Sequence, residues 1–295
     1  MTEMKTKFHA KLDVQLVGYT VYKPPMDPET GEPVMVGDIT DTSFGRNQSL
    51  MALAGRGCYE SFDNPKGRTI PEYLWNILKQ KHGSVLEHAS VSFRLTGISR
   101  ACSHEIVRHR HHSFSQLSQR YVDARQMGIV VPPAMIDFFA ELVDGTEKTD
   151  EEIAGFLDVE SVKGLTRQEL IDLCAETYAA ENYGEVNARY TDTMEELAEM
   201  FPHMGRKALR GAARSELTEA VETRMVITAN LRAWMDFLVQ RDAPSADAEI
   251  RAVAQEIGRH LAEYAPAIFG PEGRALWDDA SRHEVDHTPA APPEV

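Results

Sequence analysis

Cysteine is scarce in this 295-residue chain: Cys58, Cys102 and Cys174 are widely spaced, odd in number and form no C-x-x-C pair. That excludes a disulfide framework and a cysteine-rich zinc site. No apolar run is long enough to span a bilayer, and the first twelve residues are polar, without the apolar core of a secretory leader. The cytoplasm is the expected location. Basic residues are outnumbered, 31 Lys and Arg against 46 Asp and Glu, giving a net charge of −15. An extended basic face for a nucleic acid polymer is therefore not expected. Walker A, G-x-G-x-x-G and G-x-S-x-G signatures are also missing, and there is no internal repeat. With 42% hydrophobic and 26% charged residues, the chain reads as an ordinary soluble protein with a full core.

Against this acidic background one stretch stands out. Residues 108–121 hold Arg108, Arg110 and Arg120, His109, His111 and His112, and Ser113, Ser115 and Ser118. From Arg100 to Arg125 there are five arginines, no lysine, and two acids, Glu105 and Asp123. A surface shaped only for solubility would mix lysine with arginine. An all-arginine island rich in hydroxyls points to a planar oxyanion such as phosphate, because guanidinium offers a rigid fork of donors. Surface ion pairing is the bland alternative, and it weakens because so few acids stand beside Gln116, Gln119 and Arg120. A zinc reading of His104, Glu105 and His109 fails on geometry. The two histidines are five apart, roughly 500° around a helix, and an arginine occupies the ligand's place. No metal is expected. A serine hydrolase lacks both its elbow and an orienting acid.

Residues 14–22 and 89–95 read as strands, and residues 47–59, 70–82 and 99–110 as helices, Pro71 suiting a first turn. Residues 23–45 form a loop, 111–120 a loop or irregular helix, and 129–131 a short extended piece. Residues 137–160 suggest a helix followed by a surface excursion. Residues 166–200 form a long amphipathic helix, with a possible break at Asn182-Tyr183-Gly184, and 203–214 another helical stretch. Residues 222–228 read as a strand, after which Asn230 caps a helix reaching Arg241, and 246–264 form a further helix. On the Arg241 helix, Asn230, Trp234, Phe237 and Arg241 share one stripe while Arg232 faces away; Trp234 and Phe237 read as core. The class is α+β, a single domain over 1–270 with an acidic insertion at about 137–165, then a loose tail over 271–295.

The run Arg108-His109-Arg110, followed by seven residues and Ser118, resembles the signature of the flavin-dependent thymidylate synthases. Residues 82–90 (HGSVLEHAS), Glu222-Thr223-Arg224, residues 230–234 (NLRAW), Arg241 and Glu249-Ile250-Arg251 extend the resemblance over about 46–133 and 205–265. It implies a central, mostly antiparallel sheet flanked by helices, in a homotetramer whose active sites lie where subunits meet. It implies reductive methylation of dUMP to dTMP, with methylenetetrahydrofolate as carbon donor and FAD, reduced by NADPH, as hydride source. Carried over by position, Ser84, Arg108, His109, Arg110, Gln116, Asn230 and Arg232 are expected to contact FAD. Glu105, Arg108, Gln116, Leu117, Ser118, Gln119, Arg120 and Arg214 are expected around dUMP, His82 at the substrate and folate entrance, and Arg241 at the uracil, which it polarises. No cysteine nucleophile is required. Asp236 and Ser245 depart from the family pattern, and a carboxylate at 236 would repel a pyrophosphate unless it turned away. A non-catalytic regulator binding the same nucleotides is the competing expectation.

Overall fold

The computed structural model describes residues 9–33, 46–58, 69–145 and 164–278. Among these, four strands form one antiparallel sheet: β1 (Asp13–Tyr19), β2 (Ser90–Ser99), β3 (His112–Gln116) and β4 (Glu222–Asn230), in the order β1-β2-β4-β3. The α+β class is as expected. Around the strands run α1 (Arg46–Gly57), α2 (Ile70–Lys79), α3 (Arg100–Ile106), α4 (Pro133–Asp144), α5 (Arg167–Met200), α6 (Arg206–Ala213), α7 (Leu231–Arg241), α8 (Ala248–Tyr264), α9 (Pro266–Phe269) and α10 (Pro271–Arg274). The chain divides into two compact units, each with its own core. Most of the acidic stretch (146–163) and the tail beyond 278 lie outside the described residues.

The first unit comprises, as far as described, residues 9–15, 94–110 and 114–227. Its core packs α4 against α5 through Phe139, Ile171, Ala175, Ala179 and Tyr183, with Ile129 and Val221 beside them. Thr166 starts α5 with a capping box, its hydroxyl accepting from the Glu169 N–H while Glu169 accepts from the Thr166 N–H. The helix runs unbroken for 34 residues, so the possible break near Gly184 does not occur. Tyr183 is 3% exposed and its hydroxyl donates to the Ala124 carbonyl at 2.9 Å. Glycine costs about 1 kcal/mol inside a helix, which this tertiary anchoring offsets. Gly97 has a φ of +67°, and a Cβ there would lie 1.7 Å from the Lys11 carbonyl oxygen. Only glycine lets the N-terminal segment pass so close to β2.

The second unit comprises residues 16–93, 111–113 and 228–278 as far as described. Phe93, Trp234 and Phe237 are fully buried, with the Phe93 and Trp234 rings edge to face at 5.2 Å. The Trp234 indole donates to the Val91 carbonyl at 3.2 Å, so this buried polar group is satisfied. The core reading of Trp234 and Phe237 holds. Thr69 and Glu72 form a capping box on α2, with Pro71 in its first turn. Residues 271–278, expected in a loose tail, form α10 and a following turn. The Trp277 indole donates to the Ile268 carbonyl at 2.7 Å and its ring lies 5.8 Å from Phe269.

Residues 112–116, expected as loop or irregular helix, are the edge strand β3. Its burial alternates, with His112, Phe114 and Gln116 partly covered and Ser113 and Ser115 exposed. That is the period of a strand, hidden in the sequence by polar residues on both faces.

Candidate active site

In the first unit the arginine island is built around α3. Ser99, 3% exposed, caps the helix by accepting from the Cys102 N–H at 2.9 Å, which sets Arg100 on its first turn. Burial lowers the pKa of the Arg100 guanidinium; Glu219 opposes this, and the neighbouring Arg214 adds to it. Two guanidinium groups near one another, with one exposed carboxylate as counterion, form a local excess of positive charge. Glu219 is itself shared with His104, whose Nδ1 lies 3.5 Å from it.

Gln116, at the end of β3, is held by two elements, α3 and β4. Its amide nitrogen donates to the Ser103 hydroxyl at 2.7 Å and to the Thr223 hydroxyl at 3.3 Å. Ser103 in turn donates to the Arg100 carbonyl at 2.8 Å. The Leu117 N–H donates to the Arg224 carbonyl at 2.8 Å, and the next residues turn, with the Ser118 carbonyl accepting from Tyr121 and Val122. Ser118 and Gln119 are partly covered, while Arg120 is exposed with its side chain against Gly211 of α6. Arg108 and Arg110 are exposed on the turn after α3, and His109 between them is buried.

A second network supports this turn. Arg210 donates to the Tyr121 carbonyl at 2.6 Å and to Asp123 at 3.2 Å. Asp123 is 6% exposed and also accepts a two-pronged bond from Arg125 at 3.0 and 2.7 Å. The Arg125 bonds, with the Arg210 charge, hold its carboxyl below the usual aspartate range despite burial. Lys207 bonds the Tyr121 hydroxyl and lies 4.5 Å from the ring centroid; that bond lowers the phenol pKa.

In the second unit Asn230 caps α7, its amide oxygen accepting from the Ala233 N–H at 2.8 Å. The N-terminus of α7 opens on a cavity of about 460 Å³ lined by Glu87, His111, Asn230, Arg232, Ala233 and Asp236. Helix N–H groups and a guanidinium on one wall suit an anion. Arg232 bonds Glu87 at 2.6 Å and presses on Gly83, where a Cβ would lie 3.1 Å from its Nε. A side chain at 83 would push the guanidinium aside. Arg232 also lines a neighbouring cavity of about 420 Å³ with Lys81, His82, Leu86, Met235 and Trp277. Lys81 there has a φ of +57°, an uncommon state for a residue with a Cβ. Ser84 is exposed on the 3₁₀ turn Gly83–His88, and Arg241, the last residue of α7, is partly exposed.

Both the arginine island and the 460 Å³ cavity at α7 fall within a single family match. A profile for the family described as "Thymidylate synthase complementing protein" matches residues 40–267. The chain is 40% identical to the flavin-dependent thymidylate synthase of Mycobacterium tuberculosis over 262 residues, 88% of this chain and 89% of the relative. It is also 40% identical to that of Mycobacterium avium over 284 residues, 96% of this chain and 97% of the relative. The chain belongs to the flavin-dependent thymidylate synthase family. It is therefore an enzyme.

Several residues of this family member were not singled out from its sequence. Arg100 was counted in the island but given no role, although it lies beside Arg214. No role in the site falls to Lys207, Tyr121, Arg210 or Asp123 from the sequence, because the bonds joining them span more than eighty residues; only the basic pattern of 206–214 hints at them. The departures also have a place. Asp236 lines the 460 Å³ cavity but accepts from Gln240 at 2.8 Å, which draws one oxygen along the helix. Ser245 is exposed beyond α7.

The cavity at α7 offers an anion such as a flavin's pyrophosphate the helix N-terminus and the Arg232 guanidinium, with Glu87 bonded to Arg232 and Asp236 also on the lining. Cys102 and Cys174 are buried, and burial raises the Cys174 thiol pKa.

Proposed function

We propose that this enzyme methylates dUMP to dTMP, with methylenetetrahydrofolate as carbon donor and FAD, reduced by NADPH, as the source of hydride. The observation that carries the reading is the Gln116 carboxamide fixed to Ser103 and Thr223 beside the Arg100 turn of α3, within a chain of the flavin-dependent thymidylate synthase family. Guanidinium pairs suit the dianionic 5′-phosphate, and a fixed carboxamide suits a neutral pyrimidine edge.

The nucleotide is held by Arg214, Arg120, Ser118, Gln119, Leu117, Gln116, Arg108 and Glu105, some through backbone. FAD is held by Asn230, Arg232, Ser84, His109, Arg108, Arg110 and Gln116, and when bound it supplies hydride. His82 stands at the substrate and folate entrance. Arg241 stabilises negative charge at the N3/O2 edge of uracil, making C5 electron-rich for attack on the one-carbon unit. Because guanidinium stays protonated, it does this without giving up a proton. No thiol adduct is needed, which accords with two of the three cysteines being buried. The working unit is a homotetramer in the cytoplasm, with active sites completed between subunits. No helix among the described residues is long and apolar enough to cross a membrane.

The test is release of tritium from C5-labelled dUMP, with dTMP measured alongside. Release that requires both FAD and a reductant supports the reading. Tight dUMP binding without any dTMP, under every reductant, overturns it in favour of a regulator.

A further inference from the structure

We propose that Arg274 is a positioning residue for Arg241, acting through Asp242. The inference rests on the role given to Arg241 above. Arg241 closes α7, and Asp242 is the C-cap, its N–H donating to the Leu238 carbonyl. Asp242 is 8% exposed, and a carboxylate at a helix C-terminus meets the negative end of the macrodipole. Left alone, that residue would swing toward water and fray the last turn. Arg274 prevents this. Its Nη2 donates to Asp242 Oδ2 at 2.5 Å and its Nε donates to Asp278 Oδ2 at 2.8 Å.

The guanidinium is forked between two acids, with the Trp277 ring centroid 5.9 Å from its Cζ. Gly258 of α8 faces it; a Cβ there would lie 3.9 Å from Nη1. Burial alone would depress the Arg274 pKa, and the bonds to Asp242 and Asp278 outweigh it, so the charge is secure. These contacts fix Asp242, and through one peptide bond they fix where Arg241 begins its reach. A shift of about 1 Å in a catalytic group can cost on the order of a hundredfold in rate. Arg274 lies beyond residue 267, where the family profile ends.

The test uses the full, flavin-loaded chain and measures kcat and KM for dUMP from dTMP formation, together with FAD content. Arg274→Ala is expected to lower kcat about tenfold to a hundredfold, leaving FAD content and KM within about twofold. Arg274→Lys should recover part of the loss, since one of the two bonds survives. In an Arg241→Ala background, Arg274→Ala should cost nothing further, because the group it positions is gone. Equal losses in both backgrounds, or an unchanged kcat, overturn the proposal. If Arg274→Ala does not fold, Arg274→Lys and Asp242→Asn carry the same comparison in both backgrounds. Full turnover in Arg241→Ala defeats the reading of Arg241 and takes this proposal with it. Collapse in Arg241→Ala beside normal turnover in Arg274→Ala defeats this proposal alone.

Discussion

The first unit holds its candidate site with side chains bonded to one another: Gln116 to Ser103 and Thr223, with Arg210 and Asp123 bracing the turn that follows. The second offers a cavity, a helix N-terminus and a single guanidinium braced by Glu87 and Gly83. The contrast follows from what each is proposed to hold. A small nucleotide must be oriented to within a fraction of an ångström, so its donors are locked by neighbours. A dinucleotide cofactor has many contacts, so a charged recess that accepts its pyrophosphate suffices.

Substitutions can break this contrast. Arg241→Ala should cost about a hundredfold to a thousandfold in kcat, the scale of losing one electrostatic donor, with FAD content unchanged by absorbance. Next, Arg214→Ala should raise KM for dUMP about tenfold to a hundredfold, the loss of a charge-assisted phosphate contact, again without loss of FAD in a flavin titration. Arg232→Ala should do the reverse, weakening FAD about tenfold while leaving dUMP affinity, measured at saturating FAD, within about twofold.

The smallest effect concerns pH. Asp123 has a lowered pKa in the folded state, so its contribution is present above the ordinary aspartate value and fades as pH falls through the folded pKa. Asp123→Asn should therefore cost about 1–3 kcal/mol at neutral pH and less at a pH well below the ordinary aspartate value. Urea unfolding at both pH values checks this, and an equal cost at both would show that Asp123 acts through shape alone.

The two units were not equally legible in the sequence. In the second, Asn230 as cap, Trp234 and Phe237 as core, and Arg232 facing away all follow from helical spacing, a local rule. In the first, β3 was hidden because its covered face carries a single apolar residue, Phe114, between His112 and Gln116. The unbroken α5 depends on Tyr183 reaching Ala124, 59 residues away. Arg210 and Lys207 take their meaning from Asp123 and Tyr121, more than eighty positions earlier. Residues 271–278 read as tail because their order comes from Arg274 finding Asp242, which no local pattern encodes. The family resemblance supplied roles for residues that spacing could not, and left Arg100 and Arg274 unmentioned.

The most direct test is the visible absorption spectrum of the purified protein, titrated with dUMP. The account requires flavin bands in the wild type that shift on adding dUMP. Arg214→Ala should keep the bands but need far more dUMP for the shift, and Arg232→Ala should lose much of the flavin. A colourless protein that takes up no FAD, or bound flavin whose spectrum ignores dUMP at saturation, would contradict it.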